Sequence, residues 1–220
     1  MRPKQWAKNA IIFAALVFDR QLSNIPALLH ILAGFILFCL VSSSVYLIND
    51  ILDKEADRNH PKKSKRPIAS GNLPVSTAII AVVLFLIVVF PVAYILSPTF
   101  LLIIALYFFL NLAYSIWLKH IPLIDVLVIA AGFVLRVAAG VSLIEVERFS
   151  PWLYVVTTLG ALYLGFGKRR AELALLAEGA NSHRKVLDGY TIPFLDQLII
   201  IVSSTTIIAY SLYTFSAPNL

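Results

Sequence analysis

Apolar residues along this chain gather into seven runs, at 9–18, 27–48, 75–96, 99–118, 122–143, 152–167 and 193–214, separated by polar stretches. Most approach the ~20 residues that carry an α-helix across ~30 Å of hydrocarbon. The first is shorter and spans only if the polar residues around Gln5, Trp6 and Ser23 count as its flanks. Its lead-in has Trp6 among Arg2, Lys4 and Lys8, which predicts an interfacial anchor. Pro98 stands where a helix best tolerates proline, at the start of the fourth run. Runs of this length, rather than ten-residue alternations, predict seven membrane helices and exclude an outer-membrane barrel.

Composition agrees with that pattern. Hydrophobic residues make up 60% of the chain and charged residues 14%, whereas a soluble domain is about half apolar and about a quarter charged. The basic residues add a direction. With the N-terminus cytoplasmic, Arg2, Lys4, Lys8, the cluster from Lys54 to Arg66, Lys119, Lys168–Arg170, Arg184 and Lys185 all lie inside, and only Arg20 and Arg148 lie outside. That asymmetry obeys the positive-inside rule with all seven crossings in place. The two long loops, after the second and sixth runs, are both cytoplasmic. They hint at two facing halves with a site between them. Cys39 stands alone and is expected to pack as a small hydrophobe. The four histidines have no partner at metal-ligand spacing, which argues against zinc. The net charge of +6 belongs to the inner face and anionic lipid, and no nucleic-acid motif accompanies it.

The candidate chemistry is concentrated between the second and third runs, in NDILDKEADRNHPKKSKRPIASG. If the preceding helix continues past the membrane, Asp50, Asp53 and Asp57 fall at i, i+3 and i+7 and share a helical face. Like charges so placed repel. A hard divalent cation resolves this, because Mg²⁺ takes oxygen ligands and uses substrate phosphates to complete its shell. The basic residues that follow suit phosphate, the guanidinium forks of Arg58 and Arg66 most of all. The plainer alternative is a solvated acidic helix end followed by an ordinary basic loop.

Charges inside the membrane are costly and ask for a role. Asp125 and Arg136 lie about three turns apart on nearly one face, with Gly132 and Gly140 leaving that face thin enough for a helix or a ligand. They would form a polar seam, unless Arg136 snorkels outward and Asp125 merely caps its helix. Asn111, Tyr114 and Ser115 face a shared site, unless Asn111 and Ser115 bond between helices and Tyr114 sits in an interfacial belt. Lys168, Arg169 and Arg170 form an anchor or a second phosphate clamp, and Asp188 and Asp196 are possible further metal ligands.

N-D-x-x-D-x-x-x-D at 49–57 with D-R-x-H-P-x-K-x-x-R-P-I-A-S-G at 57–71 resembles the UbiA superfamily of intramembrane prenyltransferases. R-P-K-Q-W-A-K-N at 2–9, Y-S-I-W-L-K at 114–119, P-L-I-D-V at 122–126, G-F-V-L-R at 132–136 and G-K-R-R-A-E-L at 167–173 are similar to its decaprenyl-phosphate phosphoribosyltransferase branch. The resemblance implies an all-α bundle around a central cavity, with Mg²⁺ at the aspartate motif. It also implies transfer of 5-phosphoribose from phosphoribosyl diphosphate (PRPP) to a polyprenyl phosphate in the bacterial inner membrane. A homo-oligomer is left open.

The site would then comprise Asp50, Asp53 and Asp57 on the metal, with Asn49, Arg58, Lys63, Arg66, Tyr114, Lys119, Asp125, Arg136, Lys168, Arg169 and Arg170 toward the substrates. Two departures follow. Seven helices are countable where the family has nine, so the single domain at 1–220 is expected to lack the last two. Basic Lys168–Arg170 and Arg184–Lys185 stand where aromatic prenyltransferases carry a second aspartate motif. The rivals are an aromatic prenyltransferase, a CDP-alcohol phosphotransferase (which would need other residues where Lys54 and Glu55 stand) and a transporter subunit.

Overall fold

The computed structural model describes residues 3–60, 63–146, 151–177 and 185–216, all helix, turn or loop. Arg2, Lys62, Arg148 and Arg184 of the basic inventory lie outside the described residues, as do the side chains of Lys4 and Lys185.

Each of the seven runs is helical. A 3-10 helix, Pro3–Phe13, leads into α1, Ala14–Phe18. There follow α2 (Ile25–Leu52), a short α3 (Lys54–Arg58), α4 (Val75–Leu96), α5 (Pro98–Ile116), α6 (Ile124–Val141), α7 (Pro151–Ala177) and α8 (Ile192–Ser216). Among the described residues α2, α4, α5, α6 and α8 are long and apolar enough to cross a membrane, so the chain is a multi-pass membrane protein. The first run is not long enough as an α-helix, and α7 does not qualify by apolarity. The 3-10 geometry lengthens the first run taken together with its lead-in. Eleven residues at ~2.0 Å and five at ~1.5 Å reach about 30 Å, against about 24 Å for one α-helix.

The chain forms two compact units, the first of 1–116 with 135–148 and the second of 117–134 with 149–220. In the first unit α2 is the axis. Asn24 caps it by accepting from the Ala27 N–H at 3.3 Å, and Pro26 stands in its first turn. Its inner face buries Ile31, Phe38 and Val41 against Ile12 and Leu16, against Val89 of α4, against Phe100, Ile104 and Tyr107 of α5, and against Ala139 of α6. Phe38 and Tyr107 meet as a tilted ring pair, 4.6 Å between centroids. A 3-10 helix of eleven residues is otherwise uncommon, and this one survives because it is packed. Asn9, Ile12 and Leu16 are wholly buried. Gly140 lets it in: a Cβ there would sit 2.1 Å from the Ile12 carbonyl oxygen. The thin face expected around Gly140 therefore receives a helix.

In the second unit the first half of α6 packs with α7, α8 and the turn before α8. Val126, Phe166, Val186, Leu187, Tyr190, Leu195 and Val202 form its core. The outward residues of α4 and α8, such as Ile80, Ile87, Ile95, Ile200 and Ile207, are exposed apolar side chains, as a lipid-facing surface requires.

Candidate active site

The aspartate motif does not ride on one continuous helix. α2 ends at Leu52 and Asp53 adopts φ −91°, ψ 6°, after which the chain resumes as α3. The corner is shallow. The Asp53 N–H still donates to the Asn49 carbonyl at 2.9 Å, and the Asp57 N–H donates to the Asp53 carbonyl at 2.8 Å. The i, i+7 relation of Asp50 and Asp57 therefore survives. Both carboxylates are buried, 7% and 3% exposed. They converge on one nitrogen: Arg66 Nη1 donates to Asp57 Oδ2 at 2.5 Å and to Asp50 Oδ1 at 3.2 Å. Asp53 Oδ2 accepts from Asn49 Nδ2 at 3.1 Å.

The turn that delivers Arg66 is fixed by its own sequence. Ile68, 2% exposed, plugs R-P-I-A-S-G into the apolar seam lined by Leu47, Ala78 and Val82, and Ala69 beside it is buried as well. The Ser70 N–H donates to the Arg66 carbonyl and the Leu73 N–H to the Pro67 carbonyl. Gly71 closes the turn at φ 83°, a conformation glycine adopts without strain. Arg58 ties α3 to the same turn through Nε on the Ala69 carbonyl at 3.2 Å, and its Nη1 reaches Glu55 at 3.2 Å. Lys63 lies exposed in the intervening 3-10 turn. The acidic corner and the basic turn thus fold into one charged knot at the end of α2.

A second polar cluster lies within the first unit. Arg136 is 6% exposed and does not snorkel. Its Nε donates to Asn9 Oδ1 and its Nη2 to the Tyr107 hydroxyl, both at 2.8 Å. The guanidinium also sits over the Tyr107 ring at 4.8 Å. Asn9 donates to Ser42 Oγ at 3.0 Å and Cys39 Sγ at 3.3 Å, and Trp6 Nε1 donates to Ser43 Oγ at 3.1 Å. Trp6, expected as an interfacial anchor, is thereby tied to α2 by a hydrogen bond. Asn111 donates back to the Tyr107 carbonyl at 2.8 Å, an internal helix bond. Tyr114 is half-buried on the same helix.

The second unit has its own buried centre. Asp125, fully buried, accepts from Arg169 Nε at 2.7 Å and from the Tyr190 hydroxyl at 2.6 Å. Arg169, 1% exposed, also donates to Glu172 at 2.6 Å. Its neighbours face outward, Lys168 lying 3.9 Å from Glu172 and Arg170 bonding Asp196. Burial, and then the bond to Asp125, push the Tyr190 phenol well above its ordinary range.

A model of the UbiA prenyltransferase family matches residues 10–168. The chain belongs to the UbiA prenyltransferase family. It is 33% identical over 222 residues to a decaprenyl-phosphate phosphoribosyltransferase of Mycolicibacterium smegmatis, covering 98% of this chain and 69% of the relative. It is 34% identical over 219 residues to one of Corynebacterium glutamicum, at 98% and 66% coverage. The chain therefore spans about two thirds of the length of these relatives. Its fold is that of a UbiA homolog from Archaeoglobus fulgidus solved bound to GPP and Mg2+, with a TM-score of 0.81 and 20% identity over all of this chain and 77% of the other.

Within this UbiA fold the residues singled out by the sequence separate into groups. Asp50, Asp57 and Arg66 come together, and Asn49 with Asp53 adjoins them. Among the described residues no three His, Cys, Asp or Glu side chains form a ready-made metal cage. The expected continuous helical face is replaced by a corner at Asp53. Arg169, expected among the phosphate ligands, has its Nε and Nη1 engaged by Asp125 and Glu172. Asp196, a possible metal ligand, pairs with Arg170. Sequence reasoning missed Asn9, Tyr107 and Tyr190. Asn9 carried a usable signal, being a polar side chain at the head of an apolar run.

Proposed function

We propose that this UbiA-family chain transfers 5-phosphoribose from PRPP to the phosphate of a polyprenyl lipid, releasing diphosphate, on the cytoplasmic side of a bacterial inner membrane. The observation that supports it best is the knot at the end of α2. Two buried carboxylates converge on a single cationic nitrogen, that of Arg66. The curated relatives named above are decaprenyl-phosphate phosphoribosyltransferases, and they match almost the whole chain.

A divalent ion fits this donor set. Asp50 and Asp57 are hard oxygen ligands already gathered about one positive centre, and Mg²⁺ commonly takes one or two carboxylates and leaves its other positions to water and substrate phosphates. Asp50 and Asp57 would hold it, with Asp53 beside them. When bound, the ion neutralises charge developing on the diphosphate leaving group. The remaining roles belong to the chain. Arg66 supplies the positive charge that keeps the carboxylate pair together in the free protein, and its fork is suited to turn onto diphosphate oxygens. Arg58 at the end of α3 and Lys63 in the following 3-10 turn, both exposed, would add positive charge near the diphosphate. Asn49 orients Asp53. In the second unit Lys168 and Arg170 would each hold a substrate phosphate, with Lys119 of the same unit as a further contact. The lipid phosphate is already ionised at neutral pH and needs no general base to attack the anomeric carbon.

The test is direct. Membranes carrying the full chain, given PRPP labelled in the ribose, polyprenyl phosphate and Mg²⁺, should form a lipid-soluble labelled product that vanishes with EDTA. Product formed from GPP and an aromatic acceptor, with none from PRPP, would replace this reading by the aromatic prenyltransferase one.

A further inference from the structure

Lys168, Arg169 and Arg170 are consecutive cations on α7, yet the fold treats them differently. Successive residues on an α-helix are turned by about 100°, so fixing the middle one fixes the directions of its neighbours. Arg169 is fixed. It is buried against Asp125, while the side chains of Lys168 and Arg170 remain 68% and 44% exposed. Asp196, the partner of Arg170, is at the surface, where ion pairs contribute little and yield readily to a stronger anion, and Lys168 lies 3.9 Å from a Glu172 carboxylate that Arg169 already engages.

Asp125 is itself held from a third direction. The Tyr190 hydroxyl donates to Asp125 Oδ1 and accepts the Leu123 N–H at 2.7 Å. Leu123 has φ 67°, a left-handed conformation that a leucine keeps only when its surroundings hold it there. The turn carrying Tyr190 is pressed close to this strained corner, since a Cβ on Gly189 would sit 2.2 Å from Pro122 Cγ. Tyr190 is only 4% exposed, so its hydroxyl has little access to water in place of these partners.

We propose that Tyr190 is a positioning residue: by holding the Leu123 N–H and the Asp125 carboxylate together it pins Arg169 inward, which turns Lys168 and Arg170 outward on opposite flanks of α7, each presented to a substrate phosphate. The inference rests on the reading above that these two cations bind phosphate. It assigns to Tyr190, a residue far from them in sequence, control over how well they do so. The Tyr190 hydroxyl makes no contact with substrate in this role.

The test uses the full chain, with PRPP and polyprenyl phosphate varied in turn and thermal unfolding measured alongside. Lys168→Gln and Arg170→Gln should each raise the KM of one phosphorylated substrate. Tyr190→Phe, which removes only the hydroxyl, should raise the same KM about five- to tenfold, leaving kcat within about twofold. Asp125→Asn, of unchanged shape, should act in the same direction. If Lys168→Gln and Arg170→Gln raise KM but Tyr190→Phe and Asp125→Asn do not, the positioning role is overturned while the phosphate reading stands. If neither cation affects either KM, the phosphate reading itself falls. A fall in kcat alone, or loss of folded protein in both Tyr190→Phe and Asp125→Asn, would make the cluster a structural brace and overturn the proposal.

Discussion

Replacing Arg66 by alanine separates the electrostatics of the knot from its packing. The guanidinium touches two carboxylates, 10% and 4% exposed in their side chains, and is itself only 24% exposed. Removing it leaves two negative charges at short range with little water to screen them. A hydrogen bond to a charged group contributes roughly 1.5–3 kcal/mol, and breaking a buried pair one partner at a time costs about 3–5 kcal/mol. This pair is partly solvated, so a loss of about 2–4 kcal/mol is expected in EDTA. Millimolar Mg²⁺ should recover most of it, because a divalent ion between Asp50 and Asp57 restores the missing charge. Thermal unfolding of the detergent-solubilised protein, with native and Arg66→Ala chains each in EDTA and in Mg²⁺, measures both differences. Equal loss in the two media would refute the idea that Arg66 and a metal serve the same carboxylates. No loss in EDTA would refute the electrostatic account of the knot.

Other expectations follow from single contacts. Asp53→Asn should lower turnover of PRPP at least about 10²-fold while leaving membrane insertion intact, measured as labelled lipid product per inserted chain. Gly140→Ala places a methyl 2.1 Å from the Ile12 carbonyl and should destabilise by about 1–3 kcal/mol or more, whereas Gly160→Ala meets nothing within 4 Å and should change stability by less than about 0.5 kcal/mol. Tyr190 holds its proton more tightly folded than unfolded, so its contribution to stability is whole below about pH 10 and declines as pH rises beyond it. A pH series of unfolding midpoints should show that decline in the native chain and lack it in Tyr190→Phe.

Helix positions were legible because lipid imposes long apolar runs: the third run, 75–96, coincides with α4, and Pro98 marks the start of α5. The charged knot was legible in kind because its members lie within one loop, where spacing alone brings Asp50, Asp57 and Arg66 into range. The pairing of Asp125 with Arg169 was not, since 44 residues separate them and nothing local in either segment names the other. The same holds for Arg136, whose partners Asn9 and Tyr107 lie on separate segments 127 and 29 residues away. The 3-10 stretch at the N-terminus was hidden for a different reason: its sequence is adequate for an α-helix, and packing against Gly140 overrides local preference. The corner at Asp53 was missed because the motif's spacing suits an unbroken helix as well as a bent one.

Binding of Mn²⁺ to the full chain in detergent, followed by electron paramagnetic resonance with and without PRPP, tests the central claim most directly. The account predicts a metal site that tightens when PRPP is added and disappears in Asp50→Asn/Asp57→Asn. PRPP-dependent Mn²⁺ binding that persists unchanged in that double variant would contradict it.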